Sequence, residues 1–119
     1  MPQYTLMLRG EPESPFANLS PAEMQTIIER YHNWAQGLGA AGKLAGSHKL
    51  YDGQGRVMRR NGGKVVVTDG PFTEGKEVMG GLFVVEAASY DEALAIADGC
   101  PHLDFGSIEV RAIEVMRTP

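Results

Sequence analysis

The sequence predicts an α+β fold in a single domain covering residues 1–119, and three observations support that prediction. Strand patterns of period two and helix patterns of three- and four-residue steps alternate in the order β-α-β-(β-β)-β-α-β. Both helix patterns are introduced by Ser-x-x-Glu, at Ser20 to Glu23 and at Ser89 to Glu92. Glycine is in excess, 15 of 119 residues, while hydrophobic and charged fractions of 43% and 22% stay near globular averages, so the excess marks turns and not low complexity. With the middle hairpin set aside, the order is the ferredoxin-like βαββαβ, two helices lying on one face of an antiparallel sheet.

The first strand is expected over Gln3 to Arg9, where Tyr4, Leu6 and Leu8 alternate with Thr5 and Met7. A loop with Pro12 and Pro15 follows. Ser20-Pro21-Ala22-Glu23 then opens a helix, proline standing at the first helical position where its missing N–H costs nothing. Met24, Ile27, Ile28, Tyr31, Trp34, Ala35 and Leu38 give that helix one wide apolar stripe, and Gly37, Gly39 and Gly42 are expected to fray and stop it.

Lys43 to Leu50 reads as a second strand, interrupted by Gly46 and Ser47. Arg56 to Arg60 and Lys64 to Asp69 read as an inserted β-hairpin around Asn61-Gly62-Gly63, residues that accept positive φ. Val78 to Glu86 is the next strand. Ser89 to Glu92 is a second capping box, opening a short helix that ends at Gly99 with Pro101 beyond. The last strand is expected from Ser107 to about Val115, with a bulge or a change of burial near Ala112, where the alternation of Ile108 and Val110 reverses into Ile113 and Val115.

Four strands about 4.8 Å apart span roughly 19 Å, which two helices about 10 Å across cover on one side only. Yet Val65-Val66-Val67 and Leu82-Phe83-Val84-Val85 are apolar without alternation, so both faces ask for burial. The uncovered face predicts a homodimer packed sheet against sheet, with the hairpin rimming a cleft.

A formal charge of −4 gives no net field toward nucleic acid or anionic lipid. The single Cys100 forms no internal disulfide and has no CxxC partner, which fits a reducing cytoplasm and a buried small apolar role. The N-terminus lacks the basic segment and long apolar run of a signal peptide, and no run reaches the roughly 18 apolar residues of a membrane helix. The expected protein is cytoplasmic, in contact with neither membrane nor nucleic acid.

Chemistry concentrates in Lys64-Val-Val-Val-Thr-Asp-Gly-Pro-Phe-Thr-Glu-Gly-Lys-Glu77. A strand delivers Asp69 to its end before Gly70-Pro71, so the carboxylate is either a structural cap for loop amides or a base or anchor at a cleft. Gly70-x-x-x-x-Gly75-Lys76 imitates a phosphate loop, but Glu77 replaces the Mg²⁺-holding Ser or Thr, Pro71 has no N–H to give, and Val78 begins a strand where a helix is required. It is not a nucleotide site.

Of three histidines, His32 reads as the solvent side of the first helix and His102 as helix-end punctuation, without the further ligands a metal site needs. His48 lies on the glycine-broken strand, where neighbouring backbone can come close, and is either an edge-strand side chain or half of a His–carboxylate general base with Asp69. Glu109 and Arg111 share one face of the last strand and either pair with neighbours or line a polar cavity.

Val67-Thr68-Asp69-Gly70-Pro71-Phe72, followed by Thr73-Glu74-Gly75-Lys76-Glu77 and Gly80-Gly81, resembles the YciI-like (YCII-related) family in its DGPF-domain branch. The likeness extends to Tyr4-Thr-Leu-Met-Leu8, Leu19-Ser20-Pro21, Leu44-Ala-Gly-Ser-His-Lys-Leu50 and Gly106-Ser-Ile-Glu-Val-Arg111. It implies a dimeric α/β barrel in a bacterial, mostly uncharacterised family, often encoded beside extracytoplasmic-function sigma factors; one distant relative is a dehydrochlorinase of a chlorinated hydroquinone. The family's proposed His–Asp pair places its histidine soon after the first strand, but Arg9 to Ser20 contains none. Asp69, Lys76, Glu77 and Arg111 carry over as motif positions.

The expected function is therefore acid–base chemistry by Asp69 and His48 on a small polar or aromatic molecule, without cofactor or metal. Gly70, Pro71, Phe72, Lys76, Glu77 and Arg111 are the expected ligand-binding set. The alternative is a non-catalytic partner or sensor module acting with a sigma factor.

Overall fold

The first strand, β1 (Gln3–Gly10), alternates in space as its sequence does: Tyr4, Leu6 and Leu8 are buried while Thr5, Met7 and Arg9 stay half-exposed on the other face. The computed structural model describes residues 1–11, 16, 18–69 and 78–116. After β1 come α1 (Pro21–Ala40), β2 (Leu44–Lys49), β3 (Arg56–Asn61), β4 (Lys64–Asp69), β5 (Val78–Glu86), α2 (Tyr90–Asp98), a 3-10 turn over Pro101–Asp104 and β6 (Ser107–Ala112).

The Ser20 hydroxyl accepts from the Glu23 N–H, and Glu23 accepts from the Ser20 N–H, both at 3.1 Å, closing the predicted box at the start of α1. Hydrogen bonding from the Ser20 N–H, and then from its side chain, holds the Glu23 carboxyl below its ordinary range. The helix then runs through Gly37 and Gly39 instead of fraying there. It stops at Gly42, whose φ of +71° lets the Lys43 N–H reach the Leu38 carbonyl at 2.9 Å. Ile28, expected on the apolar stripe, is exposed.

At α2 the box is only half made. Ser89 accepts from the Glu92 N–H at 3.2 Å, but Glu92 turns its carboxylate to the Ala88 N–H and lies 3.7 Å from the Lys43 ammonium. β6 ends at Ala112, short of Val115, because its partner runs out. Ile113 donates to the Gln3 carbonyl at 2.9 Å, and β1 begins at that residue.

Four strands form an antiparallel sheet in the order β2-β5-β1-β6, the ferredoxin-like order once β3 and β4 are set aside. Tyr4, Leu6, Leu8, Phe83 and Val85 turn one face toward the helices, where they meet Ala93, Ala97 and Cys100. Trp34 sets its edge on Phe83 at 4.8 Å and Tyr90 meets Tyr4 edge-on at 4.9 Å. Leu6 and Val85 are fully buried, each stabilising the fold by about 2 kcal/mol through apolar burial.

Among the described residues, β3 and β4 pair only with each other, from Arg56 opposite Asp69 to Asn61 opposite Lys64. Gly62 and Gly63, at φ +58° and +86°, make the two-residue turn between them. This ribbon extends the molecule. The Cα radius of gyration is 16.6 Å, against about 13.5 Å for a compact chain of this length, and the principal extents are 50 × 49 × 18 Å.

Candidate functional site

The face of the four-stranded sheet opposite the helices carries His48, Glu109 and Arg111. Strand register places His48 of β2 beside Leu82 of β5, Leu82 beside Met7 of β1, and Met7 beside Glu109 of β6, one row across all four strands. Three spacings of about 4.8 Å set His48 and Glu109 roughly 14 Å apart at the backbone, with Leu82 and Met7 as an apolar floor between them. The next row is Gly46, Val84, Thr5 and Arg111.

Glu109 joins two cations. Arg9 Nη1 lies 3.2 Å from its Oε1, and Arg111 Nε lies 3.9 Å from its Oε2. Of the two expectations for Glu109 and Arg111, the structure shows pairing with neighbours. All three groups are more than a third exposed, so a ligand anion can compete for the guanidinium groups at little cost.

His48 and Arg111 thus share one sheet face, at opposite edges. Asp69 ends β4 at the root of the ribbon, its side chain 92% exposed and its Oδ1 3.5 Å from Arg56 Nε. No hydrogen bond or ion pair joins His48 to Asp69 among the described residues. Gly70, Pro71, Phe72, Lys76 and Glu77 lie outside the described residues. The close backbone approach expected at Gly46 occurs instead at Gly81. A Cβ at Gly81 would stand 2.9 Å from the His48 carbonyl, whereas one at Gly46 would meet only ordinary contacts with Val84 and the His48 ring. Gly81 therefore seats the His48 backbone against β5.

A second polar cluster lies at the sheet margin under α1, and sequence reading passed over it. His102 Nε2 donates to the Arg9 carbonyl at 2.8 Å, which leaves Nδ1 to accept from the Tyr31 hydroxyl at 3.1 Å when the ring is neutral. A Cβ on Gly106 would collide with the Arg9 carbonyl and crowd that ring, so glycine is required there for space. Burial, with Cys100 adding to it, pushes the Tyr31 hydroxyl up to about 12. Burial also raises the Cys100 thiol, which keeps it protonated and unreactive. The signal for this cluster was the pairing of Tyr31 with His102 across 71 positions, which no local pattern carries. His32 is exposed on α1, as expected.

No three His, Cys, Asp or Glu side chains among the described residues are grouped to hold a metal ion. No helix among them is long and apolar enough to cross a membrane. A shallow depression of about 390 Å³ lies on the ribbon, lined by Arg59, Arg60, Asn61, Val66 and Thr68, with only two strands behind it.

An uncharacterised protein of Rhizobium meliloti (strain 1021) is 36% identical over 63 residues, an alignment that covers 51% of this chain and 51% of the relative. The chain thus spans about half the length of that relative. The model of the YCII-related domain matches residues 3–117, nearly the whole sequence. The chain belongs to the YCII-related domain family.

Proposed function

We propose that the open sheet face binds a small polar or aromatic molecule in a cleft formed with a second copy of the chain, and that acid–base chemistry takes place there without a cofactor. The row His48, Leu82, Met7, Glu109 is the observation that supports this reading. Its apolar floor suits a flat ring, Arg111 and Arg9 suit an anionic substituent, and the His48 imidazole supplies a nitrogen able to take a proton. Half-buried Leu82 and Val84 on a face without helix cover give the two copies apolar surface to share. His48 is the proposed general base. Asp69, on the ribbon's root, is the second candidate group.

A thermal-shift screen against a metabolite library tests this. At least one small aromatic or carboxylated compound should raise the melting temperature of the unmodified protein, with the shift lost in His48→Ala and in Arg111→Ala. Every ligand shift persisting in both variants would refute the site. A shift retained in Asp69→Asn alone would leave His48 in its role and make Asp69 architectural.

A further inference from the structure

Among the described residues, no third strand pairs with the ribbon of β3 and β4. Cross-strand register puts Met58, Val65 and Val67 on one of its faces, between Arg60 and the Arg56–Asp69 pair. These three apolar side chains are 67%, 48% and 54% exposed. A two-stranded hairpin alone is marginally stable in water, and this one presents its apolar face to solvent in the isolated chain.

Charge points to what covers it. Residues 56–69 hold four cations and one carboxylate, net +3, in a chain of total charge −4, so the remainder carries −7. The rest of a second copy therefore opposes the ribbon in net charge, which favours association with a basic, apolar arm. Reach agrees. Six paired residues at about 3.4 Å each make an arm of roughly 20 Å, about the width of a four-stranded sheet.

We propose that the β3–β4 ribbon is an arm exchanged between two copies of the chain. Each copy lays its Met58, Val65 and Val67 face on the other's four-stranded body, closing one end of the cleft between the open sheet faces. This rests on the dimer proposed above, and it adds that the cleft of one copy is completed by residues of the other. A two-fold axis makes the exchange reciprocal, so both apolar ribbon faces are covered at once.

Hydrogen exchange on the unmodified protein, at concentrations above and below dimer dissociation, tests the arm directly. Backbone amides of residues 56–69 should be protected in the dimer and should lose at least tenfold of that protection on dilution. Sedimentation equilibrium of the double variant Val65→Thr, Val67→Thr, which keeps strand-forming side chains, should show a dimer dissociation constant raised at least tenfold. A dimer whose ribbon amides exchange freely, or whose affinity the double variant leaves unchanged while Leu82→Asp abolishes it, overturns the arm and leaves the sheet-face dimer standing. Ribbon amides protected only when duplex DNA is added would likewise overturn it. A chain monomeric at every concentration overturns both.

Discussion

Two valine-rich strands of this chain meet opposite fates. In β5 the run Leu82-Phe83-Val84-Val85 is split by the pleat: Phe83 and Val85 go under the helices, Leu82 and Val84 stay on the open face. In β4 the run Val65-Val66-Val67 is exposed on both faces of the ribbon. Composition does not separate them. β5 has strands on both sides and helices above, whereas β4, among the described residues, has one partner strand and exposed valines on both faces. Apolar character states a demand for burial, and the number of layers within reach decides whether one chain can meet it.

The contrast is broken most forcefully by equivalent truncations in the two regions. Leu6→Ala removes a fully buried side chain from the centre of the four-stranded sheet and should cost about 3 kcal/mol in urea unfolding. Val67→Ala, at a concentration where the chain is monomeric, should change stability by less than about 0.5 kcal/mol. A Val67→Ala cost close to that of Leu6→Ala at high dilution would mean that the ribbon is covered within its own chain.

A smaller effect separates the half-buried margin of the body from the solvated ribbon. Tyr31 is held protonated up to about 12 against an ordinary 10.0, chiefly by burial. Its folded-state value is raised, so the stability this group contributes is complete below about 10 and is lost as pH rises through about 12. The ring keeps partial contact with water, which reduces the expected loss to about 1 kcal/mol. Chemical unfolding at pH 9 and pH 12 should show that loss in the unmodified protein and a smaller one in Tyr31→Phe. Equal losses in the two would remove Tyr31 as the cause.

What was legible in the sequence follows from the range over which each feature is determined. The start of α1 depends on Ser20, Pro21 and Glu23 alone, and it forms as read. Its end was misread because a glycine inside a helix costs only about 1 kcal/mol relative to alanine, and the packing of Trp34 and Leu38 against the core offsets the cost at Gly37 and Gly39. Glu92 abandons the Ser89 N–H for Ala88 while lying beside Lys43, a neighbour supplied by the fold. The site divides in the same way. His48 and Arg111 were visible as residue types on strands, but the row that sets His48 in line with Glu109 needs three strand registers, and Arg9 meets Glu109 across 100 positions. The DGPF motif drew attention to Asp69, while the pairing of β3 with β4 placed it in a different sheet from His48.

The smallest expected effect concerns Asp69, and it decides what that residue is for. If its carboxylate capped a rigid turn, replacing it with asparagine would remove the charge and one acceptor oxygen from bonds to buried amides, at a cost of about 1–3 kcal/mol. The carboxylate is instead almost fully exposed, and its ionic partner Arg56 is two-thirds exposed at 3.5 Å, a geometry that contributes at most about 0.5 kcal/mol. Asp69→Asn should therefore shift the midpoint of urea unfolding by an amount close to experimental error, and raising the salt concentration should leave the variant and the unmodified protein equally stable. A loss above about 1 kcal/mol would return Asp69 to the role of a structural cap. A negligible loss leaves an exposed carboxylate at the root of the ribbon, available for the second role proposed for it.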